Sequence, residues 1–280
     1  MKTIIRTLVF LLGLLLLAVV SHRALYRAHY WSRTKDDPRA VYVLGDSRAV
    51  HGIDIERLSE RLARPVYSHS THGAGPYSYW ALAEVIPAGA TVLLVPSHGM
   101  LVRDKEKVSY DSALSLAALG YMLQEGYGWW YLQQVFLENR FPFGGPFSRV
   151  NREPYEIREE MVVLRQRFDE IYLSKDVPWH YRPNQRLFLH AVQILVEKGC
   201  EVRLLEMPVS PDLEALVKGS VYRGLFPDFP ELERLSKVQL YRDVALEQTP
   251  GQNIWYDLDH LNVRGRDRMT EWILGNVFSR

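Results

Sequence analysis

Short β-branched runs that each close on a turn, with helical patterns between them, constrain this chain more than any other feature. Ala40-Val-Tyr-Val-Leu44 ends at Gly45, Val66-Tyr67 follows, Thr91-Val-Leu-Leu-Val95 closes on Pro96, and Glu201-Val-Arg-Leu-Leu205 begins just after Gly199. Between them, Ile53 to Leu62, Tyr77 to Ile86 and Asn184 to Glu197 carry apolar residues at helical spacing, and Gly199 stops the last of these. Strands alternating with helices in this way predict βαβ units and an α/β architecture with a mainly parallel sheet. Ile254-Trp-Tyr256 reads as a fifth strand, and Asn262 is placed to cap a final helix running toward Phe278.

Between about 104 and 183 the pattern changes. No strand is legible there, and helical stretches over Ser112 to Leu123, Trp129 to Leu137 and Pro154 to Tyr172 are interrupted by Phe141-Pro-Phe-Gly-Gly-Pro-Phe147. This reads as a helical cap inserted into one α/β domain spanning 40–280. The composition agrees with a folded domain: 47% of the 280 residues are hydrophobic and 24% charged, which excludes disordered and collagen-like classes. Lys plus Arg is 34 against 33 for Asp plus Glu, so there is no global field to gather nucleic acid. The single cysteine, Cys200, excludes an internal disulfide and any Cys-rich metal site, and its place at the start of a buried strand predicts a packing role.

Ahead of the domain, Lys2 and Arg6 precede an apolar run from Leu8 to Val20, bounded by His22 and Arg23. Residues 1–21 read as a transmembrane anchor, with a cleaved signal segment as the alternative because Val19-Val20-Ser21 is a passable cleavage site. Residues 22–39 read as a juxtamembrane linker able to lie on lipid headgroups through Tyr26, Tyr30 and Trp31. Its Arg23, Arg27, Arg33, Lys35 and Arg39 outnumber Asp36 and Asp37, and a positive-inside count would keep this side cytoplasmic.

Two motifs lie at opposite ends of the domain. Gly45-Asp46-Ser47-Arg48 follows the first strand, where a small residue permits a sharp strand-to-helix turn and lifts Ser47 to the ligand-binding edge of the sheet. Asp257-Leu258-Asp259-His260 follows the last. A carboxylate three residues before an imidazole can reach Nδ1, fix the tautomer and leave Nε2 to accept a serine proton. Each motif alone reads more often as a helix cap or a loop histidine, but serine is a poor nucleophile without a held base, so the second supplies what the first needs. Asp259 is the rival orienter of His260.

These motifs resemble those of the SGNH, or GDSL, hydrolase superfamily. Ser47 stands at its nucleophile position, with Arg48 where many members have Leu, and Asp257 and His260 stand in its last block. Ser70-Thr71-His72-Gly73-Ala74-Gly75-Pro76 is similar to its glycine block. The resemblance implies a flavodoxin-like fold with a sheet flanked by helices, and an oxyanion hole made by the N–H groups of Ser47 and Gly73. The family's third block usually supplies an Asn to that hole, whereas this chain has Pro96-Ser97-His98-Gly99, so His98 or Ser97 is the substitute donor. The apolar N-terminus and the Asp-x-x-His-Leu-Asn ending resemble the membrane-anchored SGNH-like proteins of cell-envelope polymer O-acylation. That subgroup implies an inner-membrane, single-pass protein whose domain faces the periplasm or outer surface, against the positive-inside count. It also implies an acylated glycan or polymer as substrate, a membrane-bound O-acyltransferase as partner, and no cofactor.

Two functions follow from this. One is an anchored serine esterase or O-acyltransferase using Ser47, His260 and Asp257; the other is a catalytically impaired SGNH-like scaffold that binds a polymer or docks on a membrane acyltransferase. His69, His72 and His98 converging with His260 would suit catalytic zinc, but with no carboxylate nearby they read as polar loop residues, and no metal is expected. The aromatic run Tyr127-Gly-Trp-Trp-Tyr131, with Phe136, reads as cap core rather than as a sugar platform.

Overall fold

The computed structural model describes residues 2–31, 36–72, 74–97, 116–133, 154–156, 181–217, 230–242, 244–246 and 252–279. Their centre is a five-stranded, wholly parallel sheet in the order β2-β1-β3-β4-β5, formed by β1 (Val41–Gly45), β2 (Val66–Ser68), β3 (Thr91–Val95), β4 (Glu201–Leu205) and β5 (Val238–Tyr241). That is the strand order of flavodoxin-type sheets, whose ligands sit beyond the carboxyl ends of the strands where the winding reverses, between β1 and β3.

The central strands are continuous apolar runs because both of their faces are covered. Tyr42, Leu44, Val92, Leu94, Val202 and Leu204 point to one face, against α4 (Pro76–Val85), the insertion helices α5 (Leu116–Gln124) and α6 (Gly128–Gln133), and α7 (Tyr181–Glu197). Val41, Val43, Leu93 and Val95 point to the other, together with Ala49, Leu58 and Met269. Those three belong to α2 (Ser47–Gly52), α3 (Ile55–Leu62) and α10 (Val263–Trp272), the last of which continues as a π-helical turn over Ile273–Val277. The remaining helices are the 30-residue α1 (Lys2–Trp31), α8 (Pro211–Val217) and α9 (Pro230–Glu233).

The strand-to-helix turn after β1 needs glycine for room. A Cβ on Gly45 would collide with Ala49 Cβ and come within 3.1 Å of both the Cβ and the carbonyl oxygen of Val95 on the neighbouring strand. Gly45→Ala is expected to lower the unfolding free energy by about 1–3 kcal/mol, read as a lower urea midpoint at unchanged slope.

Several expectations are met closely: β1, β3 and β4 lie where the apolar runs put them, Gly199 adopts φ +79° at the end of α7, and the Asn262 side chain accepts from the N–H groups of Arg264 and Gly265. The fifth strand is a correction. It is Val238–Tyr241, a partly exposed edge strand, and not Ile254–Tyr256. Ile254 and Trp255 are buried, but their backbone joins an isolated antiparallel bridge, Trp255 to Leu261, and is held by side-chain amides instead of by the sheet. Asn253 Oδ1 accepts from Trp255 N–H at 2.9 Å, and Asn262 Nδ2 donates to the carbonyls of Asn253 and Trp255 at 3.0 and 3.3 Å. Buried hydrophobes in a bridged loop outside the sheet mimic a sheet strand in sequence.

At the N-terminus α1 does not end near residue 21 but runs through Trp31, so the first part of the expected linker is helical. Leu8, Phe10, Leu12 and Leu17 are among its exposed apolar side chains. With the side chains of Leu15, Ala18 and Val19 outside the described set, no helix among the described residues is long and apolar enough to cross a membrane. The expected transmembrane helix therefore has no support in these residues. Of the insertion, Ala118, Met122, Trp130 and Tyr131 join the core against Trp80 and Phe188, while Trp129 is 76% exposed. The predicted helix from Pro154 to Tyr172 falls mostly outside the described residues, and Tyr155 itself lies in an isolated bridge to Asn262.

Candidate active site

Ser47 opens α2 directly after β1. Asp46 caps that helix, its carboxylate accepting from Arg48 N–H at 3.0 Å, which fixes the turn and leaves Ser47 half-buried at the carboxyl end of the sheet. The loop after β4 helps to hold the other half of the site, because Ser210 N–H donates to the carbonyl of Leu258 at 2.9 Å. Within that second loop Asp257 Oδ1 accepts from the N–H groups of Asp259 and His260, at 3.0 and 2.8 Å. The carboxylate is thus fixed by the backbone it serves.

Ser47, His260 and Asp257, 213 residues apart at their widest hydrogen-bonded step, form one chain of contacts. His260 Nε2 lies 2.8 Å from Ser47 Oγ, and Nδ1 lies 2.9 Å from each carboxylate oxygen of Asp257. Asp259 Oδ1 is also 2.9 Å from Nδ1. Asp257 faces Nδ1 with both carboxylate oxygens and Asp259 with one, so the ring lies between two carboxylates. Burial of His260 favours its neutral form, but acceptance by Asp257 and Asp259 and the charges of both outweigh it, and its pKa is pushed up to about 10. For Asp259 burial works the other way, favouring the protonated acid. The hydrogen bond and charge of His260, with Arg48 adding to them, nevertheless hold its carboxyl well below the usual range.

The ligand atoms of Asp257, Asp259 and His260 lie within 4.8 Å of one another, so they are the group among the described residues that could hold a cation. Both ring nitrogens of His260 are already engaged, one by carboxylates and the other by a hydroxyl, which suits proton transfer better than ligation. The other described histidines have aromatic neighbours of their own. His69 is buried and stacks on Tyr42 at 6.1 Å, while His72 meets His51 at 4.9 Å between ring centroids. Gly73 and His98, the expected partners of Ser47 in an oxyanion hole, lie outside the described residues; Ser97 is described and buried just past β3. Cys200 is buried at the start of β4, as its position predicted.

Sequence reasoning missed a set of rings around the imidazole. His51 lies four residues after Ser47 and so on the same side of α2, a signal that helical spacing alone could have given. Its ring centroid is 6.4 Å from that of His260. Tyr155, from the insertion, stacks between His51 and Tyr256 at 3.9 and 4.0 Å. No local signal marks that contact, because it joins segments far apart in the chain.

No family model matches the chain, and no curated protein matches it. Among solved structures, a Streptococcus pneumonia chain provisionally assigned as a platelet activating factor is similar at 11% identity and a TM-score of 0.37, over 96% of each chain. A likeness this loose carries no argument about function.

Proposed function

We propose that this protein is an SGNH-type serine ester hydrolase or O-acyltransferase. The observation that carries the reading is the contact chain from Ser47 Oγ through His260 to Asp257, at 2.8 and 2.9 Å, beside the carboxyl end of a parallel sheet. Ser47 Oγ attacks the ester carbonyl while its proton passes to His260 Nε2. The same proton then goes to the departing alcohol as the C–O bond breaks, leaving an acyl-serine. Water or a sugar hydroxyl attacks that acyl group and gives its proton to His260, which passes it to Ser47 Oγ as the acyl–serine bond breaks. The Ser47 N–H holds the developing oxyanion, with Gly73 and His98 as the other donors.

On the same reading the substrate is an acyl ester of an extracytoplasmic glycan or envelope polymer, and the partner is a membrane-bound O-acyltransferase. The exposed apolar side chains of α1 support attachment of the chain to the bilayer, with the domain on the periplasmic or outer face. The test is covalent: a fluorophosphonate probe is expected to label the full-length protein at one residue, Ser47, as read by peptide mass spectrometry. Absence of labelling in folded protein would leave the chain as a binding scaffold.

A further inference from the structure

We propose that Tyr155 is a positioning residue for this site: it packs between α2 and the loop that carries His260, so that the imidazole stays in line between Asp257 and Ser47. The inference rests on the ester-hydrolase reading above.

Three contacts converge on this one side chain. Its ring lies flat against His51 of α2, 3.9 Å between centroids with 30° between planes, and flat against Tyr256 of the catalytic loop at 4.0 Å and 7°. It meets His260 edge-on at 5.4 Å and 79°. The backbone is tied as well. Tyr155 pairs with Asn262 in a parallel bridge, and its carbonyl accepts from Val263 N–H at 2.9 Å. Val263 is the first residue of α10, so this bond satisfies a helix-start donor next to those that the Asn262 side chain covers.

The two hydrogen bonds at its nitrogens hold the imidazole only as firmly as rotation about Cα–Cβ and Cβ–Cγ is restrained, because such rotation lengthens one bond or the other. A ring packed against its side removes that freedom. Tyr155 has both faces covered, by His51 and Tyr256, so it is a wedge and not a platform for a sugar ring. Tyr155 thereby joins the helix that carries Ser47 to the loop that carries His260. Displacing reacting groups by about 1 Å can cost on the order of 10²-fold in rate, which sets the scale of the effect.

The test compares Tyr155→Phe, Tyr155→Leu and Tyr155→Ala in the full chain, with p-nitrophenyl acetate turnover and the rate of fluorophosphonate labelling as readouts. Tyr155→Phe keeps the ring and is expected to stay within about threefold of the parent. Tyr155→Leu keeps apolar volume for folding but cannot stack. It and Tyr155→Ala are expected to lower kcat and the labelling rate about 10- to 100-fold, with KM changed less than about threefold. Parental labelling rates in a folded Leu or Ala variant, or a Phe variant as slow as Leu, would overturn the inference while leaving the hydrolase reading intact. A parent protein that neither labels nor turns over would remove both.

Discussion

Ser47→Ala is expected to reduce ester turnover by on the order of 10⁴- to 10⁶-fold, and His260→Ala by a similar factor. The double variant should be scarcely slower than either single one. The reason lies in the contact chain: with Nε2 2.8 Å from Oγ, the hydroxyl becomes a nucleophile only as its proton leaves for the ring, so either loss removes the same step. Initial rates with p-nitrophenyl acetate on folded protein check this. Effects that multiplied in the double variant, or full activity in Ser47→Ala, would mean that the two groups do not act as a unit.

The second large effect is on pH. His260 must be neutral to take the Ser47 proton, yet two carboxylates hold its pKa at about 10. In the parent protein kcat/KM is therefore expected to climb about tenfold per pH unit from neutrality and level off near pH 10. Asp259→Asn removes one of the charges that retain the proton and leaves the Asp257 hydrogen bond in place, so the rise should move to lower pH and the rate at pH 7 should increase. Asp257→Asn removes the acceptor that fixes the tautomer, and a loss of about 10⁴-fold is expected at every pH. Stability runs in the opposite sense. A histidine whose folded pKa lies above its ordinary 6.5 stabilises the fold fully below about pH 6.5 and loses that contribution as pH rises toward 10. Asp259, held low, contributes above the ordinary carboxylate range and loses its contribution only as pH falls through its lowered value. Melting temperatures followed from pH 6 to 10 should fall in the parent and fall less steeply in His260→Ala.

The parts of the fold most legible in sequence were the central strands. β1 and β3 are apolar throughout because helices cover both faces. β5 was missed because an edge strand with Gln239 exposed lacks the run, and Ile254–Tyr256 was misread because burial outside the sheet produces the same letters. For the candidate site, Ser47, Asp257 and His260 could be found because each sits at a fixed offset from a turn. Asp259 could be named only as a rival, since its distance to Nδ1 depends on how the loop closes. Tyr155 could not be found at all: a helical pattern around it is a local property, and its bridge to Asn262 is not.

The spacing of Ser47 and His260 bears on how the protein is made. The two residues are separated by 213 positions, and a ribosome adding 5–20 residues per second needs about 10 to 40 s to deliver the second after the first. The β1 turn and the glycine-tight start of α2 emerge early, with Ser47 in place but without a base. A chain released at any point before the Asp257–His260 loop carries an unactivated hydroxyl, so truncated products should be hydrolytically silent. On the hydrolase reading, ester chemistry begins only once the Asp257–His260 loop has been made and has closed on the β1 turn, so the order of synthesis itself withholds the activity from incomplete chains.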